Sequence, residues 1–402
     1  SSLFIVSYVT SQLIIIFSAI RNFYRAYGEW GKFNELPRKE RKIVFYSEDK
    51  SSWVYLGPVV EALALELDRP LCYLTSAVDD PILQRKDKNI SAFYIGDGMI
   101  CTWAFMSLEA DLCVMTMPDL ETYHLKRSKE ANVHYVHIFH SIVSSHATYR
   151  KAAFDHFDSV LCVGPHHFTE IRATEKAYGL PEKRLFEHGY GRLDELMKGC
   201  ADIGKKSELS EPLNVLVAPS WGDNAILEAI GESLVSELLT AGFQVTVRPH
   251  PMTIKRTPQV CDELGKKFSA NSRFELERDI RGFNSLAEAD VLISDWSGIA
   301  LEYAFVWERP VLFIDLPQKI NNPEYDKIGI EPLESSIREK LGPVVSPDDL
   351  KNIKAAVTDV ANRQKGDFGQ VVKKLRKETV FNIGQSGLAG AKIIAELADE
   401  LS

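Results

Sequence analysis

Short apolar runs recur along this chain, separated by longer stretches with helical spacing, and that alternation predicts the architecture. Lys42–Tyr46 (KIVFY), Leu71–Leu74, Ala92–Ile95, Leu112–Met115, Val133–Val136 and Val160–Val163 have the length and composition of strands buried on both faces. The intervals between them read as helices or loops, the first with an apolar stripe of Val54, Leu56, Val59 and Leu63. Strands joined through such intervals make a parallel sheet with crossovers. Arg184–Leu196 (RLFEHGYGRLDEL) reads as a last strand and a glycine-rich turn. The polar run Lys205–Pro212 (KKSELSEP) then reads as a linker.

The pattern starts again at Asn214–Pro219, followed by a helix from about Asn224 to Thr240 and strands at Gln244–Val247, Val291–Ile293 and Pro310–Ile314. From Pro347 the chain reads as helical, closing on an amphipathic helix at Leu388–Leu401 after Gly387. The expected division is a helical segment at 1–37, a first domain at 38–203, a second at 204–380 and a closing helix at 381–402. The fold class is therefore α/β: two Rossmann-like domains with parallel sheets facing a cleft, the arrangement called GT-B among glycosyltransferases, plus an N-terminal apolar helix.

That apolar segment, Leu3–Ile20, carries no charge, and as a helix it would be roughly 27 Å long, marginal for crossing a bilayer. Arg21, Arg25, Lys32, Arg38, Lys39, Arg41 and Lys42 follow it, with Tyr24, Tyr27 and Trp30 interleaved. Basic and aromatic residues after an apolar run predict association with the cytoplasmic face of the cell membrane. A cleaved signal peptide fits poorly, since the positive charge lies on the wrong side of the run.

Composition narrows the classes of function. A net charge of −9 argues against general nucleic-acid binding. The six cysteines are scattered, with no C-x-x-C pair, and read as reduced core residues rather than as a disulfide framework or a zinc site. With no Asp-x-Asp pair after a strand and no P-loop, neither a metal nor a resident cofactor is expected.

Candidate chemistry gathers at the predicted strand ends. In Ala289–Asp315 (ADVLISDWSGIALEYAFVWERPVLFID), Asp295, Ser297 and Gly298 fall where a strand turns into a helix, a place whose free amides suit a phosphate. Glu302, one turn further on, is placed to reach a ribose hydroxyl. Three more stretches put suitable residue types at strand ends: Ala218-Pro219-Ser220-Trp221, Gly189-Tyr190-Gly191-Arg192 and Arg248-Pro249-His250-Pro251. The prolines of the last are expected to hold Arg248 and His250 in an extended turn, the permanently charged Arg248 facing phosphoryl oxygens. After the Val133–Val136 strand come His137, His140 and His146. His140, followed by the small Ser141, is the preferred general base. His166-His167 reads as capping or surface polarity.

These stretches resemble the CDP-glycerol glycerophosphotransferases that build and prime teichoic acids and related capsule polymers of the cell envelope. Gly189-Tyr190-Gly191-Arg192 resembles the family's G-Y-P-R, Val217–Trp221 its Y-A-P-T-W, and Arg248–Pro251 its R-x-H-P. Asp295–Gly298 with Glu302-Tyr303-Ala304 is similar to its D-Y-S-S and D-Y-A, and Phe381–Ile394 to its closing stretch. The resemblance implies transfer of glycerol phosphate, or a related polyol phosphate, from a CDP-activated donor to a hydroxyl of a membrane-linked glycan or lipid acceptor, with CMP leaving. It also implies that His140-Ser141 matches the family's His-Gly base. Gly191, Ser141 and Gly298 depart from the pattern, which bears on the polyol more than on the diphosphate.

The expected site then has His140 as base, with His250 and Arg248 stabilising charge. Asp295, Ser297, Gly298, Glu302, Ser220 and Arg192 would bind the donor. A GT-B glycosyltransferase or an epimerase acting on a nucleotide sugar is the alternative enzyme, and a membrane-tethered nucleotide-sugar-binding scaffold the nonenzymatic one.

Overall fold

The computed structural model describes residues 2–204, 208–279, 282–363 and 366–401, with the side chains of residues 2–15 outside that description. Part of the expected linker, residues 205–207, also lies outside it.

The first sheet holds seven parallel strands: β1 (Ile43–Ser47), β2 (Leu71–Thr75), β3 (Ile90–Tyr94), β4 (Leu112–Met115), β5 (His134–Ile138), β6 (Ser159–Cys162) and β7 (Arg184–Glu187). Their order is β3-β2-β1-β4-β5-β6-β7, so the chain reverses direction across the sheet between β1 and β4, where Val44 pairs with both Cys72 and Cys113. The second sheet repeats the plan with β8 (Asn214–Val217), β9 (Gln244–Val247), β10 (Phe274–Leu276), β11 (Val291–Ser294), β12 (Val311–Ile314) and β13 (Val344–Val345) in the order β10-β9-β8-β11-β12-β13. Inner strands such as β1, β2 and β11 are buried at every residue because helices cover both faces. The edge strands β10 and β13 are the two that apolar patterning does not single out, being two or three residues long and half-exposed.

Helices α1 (Ser2–Glu35), α2 (Trp53–Glu61), α3 (Met99–Met106), α4 (Ser145–Thr148), α5 (Pro165–Tyr178) and α6 (Gly191–Ile203) belong to the first half. In the second half lie α7 (Ile226–Ala241), α8 (Pro251–Arg256), α9 (Pro258–Phe268), α10 (Asn284–Glu288), α11 (Gly298–Trp307), α12 (Leu333–Leu341) and α13 (Ile353–Arg363). The chain then returns: α14 (Phe368–Thr379) touches both α11 and α5, and α15 (Ser386–Glu400) packs on α2. That return needs glycine at the crossing points. A Cβ on Gly164 would lie 1.7 Å from the Thr379 carbonyl oxygen, and one on Gly387 would lie 2.7 Å from that of Pro58.

The domains share one apolar core across their boundary, with Phe139, Tyr190 and Leu193 of the first half packed with Leu216, Ala300 and Phe313 of the second. All six cysteines are buried, and no disulfide joins any two of them.

The expected N-terminal apolar helix is not borne out. Helix α1 is continuous, and its described half carries Arg21, Arg25, Glu29 and Lys32 while burying Ala26, Trp30 and Phe33 in the first domain's core. Among the described residues no helix is long and apolar enough to cross a membrane.

Candidate functional site

Two parallel sheets with the same strand order each have their crevice where the order reverses, outside the carboxyl ends of the strands. In the second domain that point lies between β8 and β11. Ser220 and Trp221 follow the first, and Asp295–Gly298 follow the second. In the first domain the strand ends after β4 and β5 supply Thr116 and His140. These two sets of loops meet. A Cβ built on Gly298, the first residue of α11, would lie 3.7 Å from Ser141 Oγ and 3.8 Å from Val143. The residue after the candidate base therefore faces the helix N-terminus of the candidate phosphate site.

His140 is fixed by its neighbours. Its Nδ1 lies 3.1 Å from the Thr116 carbonyl oxygen, an atom that only accepts, so Nδ1 carries the proton and Nε2 is left with a lone pair. The rings of Tyr149, at 5.5 Å, and Tyr55, at 6.1 Å, stand edge-on to the imidazole. Burial pulls its pKa below the usual histidine value, against the opposing pull of the Thr116 bond, so the ring is neutral at pH 7.

The other histidines that the sequence groups with it do different work. His137 is fully buried among Phe139, Phe154 and Phe157, a packing residue. His146 gives Nε2–H to the Ile330 carbonyl oxygen at 2.9 Å and lies 3.5 Å from the buried Glu170. Burial pulls its pKa down, but the bond and charge of Glu170 outweigh that and raise it. His166 and His167 are not surface polarity, as their position before a helix suggests. Both are buried or nearly so, and they donate from Nε2 to the Ile142 and Val143 carbonyl oxygens at 2.9 and 3.0 Å. They hold the loop that carries His140. Its far end is held by carboxylates: Ser144 N–H and hydroxyl both bond Glu334 of α12 at 2.9 Å, and the Ser145 pair bonds Glu170 at 2.6 Å.

On the donor side, His250 is held the opposite way round. The turn expected from Arg248–Pro251 is in fact a helix start. Pro251 occupies the first position of α8, where its missing N–H costs nothing, and His250 is the N-cap. Its Nδ1 accepts the Met252 N–H at 3.0 Å, so the proton sits on Nε2, which donates. Burial, assisted by the nearby Lys319 charge, lowers its pKa to about 3, leaving a neutral donor at physiological pH.

Arg248 is placed otherwise than the sequence leads one to expect. Its guanidinium spends its fork on Glu277 at 2.9 Å, the Ser285 hydroxyl at 3.1 Å and the Gly282 carbonyl oxygen at 2.8 Å, and so ties these three residues to the end of β9. Asp295 is likewise committed to scaffolding. It is buried, and its two oxygens accept the Ser220 and Ile226 amides at 2.7 and 3.1 Å, which shapes the loop after β8. Burial raises its pKa above the usual carboxylate value, though these bonds oppose the rise. Glu302 meets protein groups on both oxygens: Tyr190 hydroxyl at 2.9 Å and Arg192 Nε at 2.8 Å, both from the first domain. The Glu302 charge raises the Arg192 pKa further. The residues expected on the ribose and diphosphate thus form a clamp between domains, extended by Tyr55, whose ring stacks on Tyr190 at 6.0 Å.

Ser297 keeps the expected position. It is the N-cap of α11 with extended backbone, its side chain makes no capping bond, and the amides of Gly298 and Ile299 precede the first bond of the helix, which Ala300 N–H makes to the Ser297 carbonyl oxygen at 3.1 Å.

Sequence patterning passes over Thr116, Tyr55, Glu334 and Lys319. Thr116, the first polar residue past an apolar run, had a local signal; Glu334 and Lys319 lie in polar stretches and are brought in by tertiary structure alone. Among the described residues, no group of three or more His, Cys, Asp or Glu is arranged to hold a metal.

The fold is shared with solved enzymes. A wall teichoic acid polymerase, TagF, is similar at a TM-score of 0.56 and 16% identity, over 97% of this chain and 98% of that one. A UDP-GlcNAc 2-epimerase from Methanocaldococcus jannaschii, in complex with UDP-GlcNAc and UDP, is similar at 0.56 and 14% identity over 89% and 99%. A putative UDP-N-acetylglucosamine 2-epimerase from Listeria monocytogenes gives 0.54 and 13% over 90% and 97%. A search of curated proteins by sequence returns no match. The sequence profile of one family, CDP-Glycerol:Poly(glycerophosphate) glycerophosphotransferase, matches residues 102–319, a span that runs from α3 through His140, His250 and Ser297 to Lys319. More than half of the chain, including the loops that carry His140, His250 and Ser297, lies inside that match, and the protein belongs to the CDP-glycerol:poly(glycerophosphate) glycerophosphotransferase family, a transferase of a CDP-activated donor.

Proposed function

We propose that His140 Nε2 takes the proton from an acceptor hydroxyl as that oxygen attacks the β-phosphorus of CDP-glycerol or a related CDP-polyol. The new O–P bond forms as the anhydride O–P bond breaks, the electron pair leaves on CMP, and the proton stays on His140. His250 Nε2–H, the Ser297 hydroxyl and the first amides of α11 hold the diphosphate and the charge that develops on it. The observation that carries this reading is the pairing across the cleft: a histidine whose Nδ1 is tied to Thr116, followed by Ser141 in contact distance of the α11 N-terminus. Arg248, Asp295, Ser220, Arg192 and Glu302 serve as its frame.

The acceptor in this proposal is a glycan or lipid at the cytoplasmic face of the cell membrane. Support comes from α1, whose exposed Phe17, Tyr24 and Tyr27 lie beside Arg21 and Arg25, with Trp103 of α3 stacked on Tyr27 at 6.2 Å. Aromatic residues beside basic ones suit an anionic lipid interface.

Replacing His140 by alanine is expected to leave CDP-glycerol affinity within a few-fold while transfer falls by roughly 1,000-fold. Retained turnover would remove the base assignment. Flotation with phosphatidylglycerol vesicles tests the membrane part: Phe17→Ser with Tyr24→Ser should reduce flotation and leave CDP-glycerol affinity unchanged.

A further inference from the structure

The loop after β12, residues 316–322, carries a cation to the fourth strand end around the donor crevice. Lys319 Nζ sits 3.4 Å above the centre of the Trp221 ring and donates to the Trp221 carbonyl oxygen at 2.9 Å. Arg256 lies over the same ring at 5.0 Å, so both cations crowd the indole that follows Ser220. With the indole occupied in this way, Trp221 is a platform for charge. Around Lys319 stand Asp295 from the end of β11, Glu228 from α7, Arg256 from α8 and the neutral His250.

None of the carboxylates completes an ion pair with it. Asp295 is turned to two backbone amides, and Glu228 Oε1 accepts the hydroxyls of Thr253 at 3.0 Å and Thr257 at 3.3 Å. Among the described residues no carboxylate comes within ion-pairing distance of Lys319 Nζ. A half-buried ammonium whose close contacts among the described residues are an indole face and one carbonyl oxygen is an incompletely compensated charge. Burial accordingly lowers its pKa to about 8, although Asp295 and Glu228 pull the other way. The same loop is bound to the first domain. Asn321 N–H and side chain reach the Ala147 and Thr148 carbonyl oxygens at 2.9 and 2.6 Å, and the Asn322 side chain reaches that of His146 at 3.0 Å.

We propose that Lys319 is a donor-binding residue that supplies the positive charge for the diphosphate of the CDP-linked substrate, the office that Arg248, engaged with Glu277, does not fill. Four strand ends then contribute to one anion: His250 after β9, the Trp221 platform after β8, Ser297 after β11 and Lys319 after β12. The loop that carries the cation also grips the segment just past His140, so donor binding and the base loop share one piece of chain. This rests on the donor site proposed above and adds its principal cation.

Calorimetry at pH 7 with CDP-glycerol, CDP and cytidine tests it on the full chain. Lys319→Met, which keeps an apolar stem against Trp221, is expected to lose affinity for CDP-glycerol and CDP by roughly 10- to 100-fold, with cytidine affinity unchanged. Lys319→Arg should stay within a few-fold of the parent. Raising the pH from 7 to 9 should weaken CDP binding by the parent, as the ammonium loses its proton, and leave Lys319→Arg unaffected. Parental affinity for CDP in Lys319→Met, or an equal loss for cytidine, would assign the residue to loop support and overturn the proposal. If the parent binds neither CDP nor CDP-glycerol, the donor site itself is misplaced and Lys319 falls with it.

Discussion

His140 and His250 are the same residue at the ends of strands in two domains of the same fold, and the backbone around each gives them opposite chemistry. Against a carbonyl oxygen, His140 is forced to protonate Nδ1 and presents a base. Against an amide N–H, His250 is forced to protonate Nε2 and presents a donor. Burial lowers both pKa values, so neither needs to change charge before the reaction begins. The difference teaches that a histidine's role is written by the atom its other nitrogen meets, which no motif spells out.

The largest expected effect that sharpens this contrast is at His250. Its replacement by alanine removes both the cap of α8 and the Nε2–H donor, and transfer should fall by about 100-fold. His250→Asn restores the cap and so should recover thermal stability without recovering the rate. A variant whose rate returned along with its stability would make His250 structural only.

The clamp between the domains comes next. Glu302→Gln discharges the partner of Arg192 while keeping an acceptor for Tyr190, and is expected to cost about 2–3 kcal/mol in urea unfolding. A cost near zero would mean that the shared apolar core alone fixes the domain arrangement.

A third prediction concerns acid. Burial lowers the pKa of His134, His137, His140, His166, His167 and His188 in the first domain, and of His250 alone in the second. Such a group binds fewer protons folded than unfolded, so its stability contribution is intact above the unfolded value of 6.5 and is lost as pH falls below it. His146, with a raised pKa, acts in the opposite sense and is one against seven. The urea midpoint should therefore drop as pH goes from 6.5 to 4.5, and proteolytic cuts should appear first in the first domain. Equal sensitivity in both domains would break the contrast. The smallest effect is expected of Arg248→Lys, which keeps the charge but not the fork: a few-fold loss of transfer with a modest loss of stability.

The sheets were legible in the sequence because buried parallel strands leave unbroken apolar runs, and Leu112–Met115 and Gln244–Val247 have the predicted ends. The two-residue β13 and half-exposed β10 left no such run. Ser297 was legible because a strand-to-helix turn is a local event. Arg248, Asp295 and Glu302 were legible as members of the site, but their partners Glu277, Ser220 and Arg192 are 29, 75 and 110 residues away, so whether they bind donor or hold the frame depended on the fold. Lys319 shows the converse: no motif surrounds it, and topology alone sets it on Trp221, 98 residues earlier in the chain.

The tautomers of the two histidines test the account most directly. Nitrogen-15 imidazole spectra at pH 7, assigned with His140→Gln and His250→Gln, should show both rings neutral, with the proton on Nδ1 in His140 and on Nε2 in His250. A proton on Nε2 of His140 would leave that nitrogen unable to act as the base, and a charged or Nδ1-protonated His250 would contradict its place as the neutral donor.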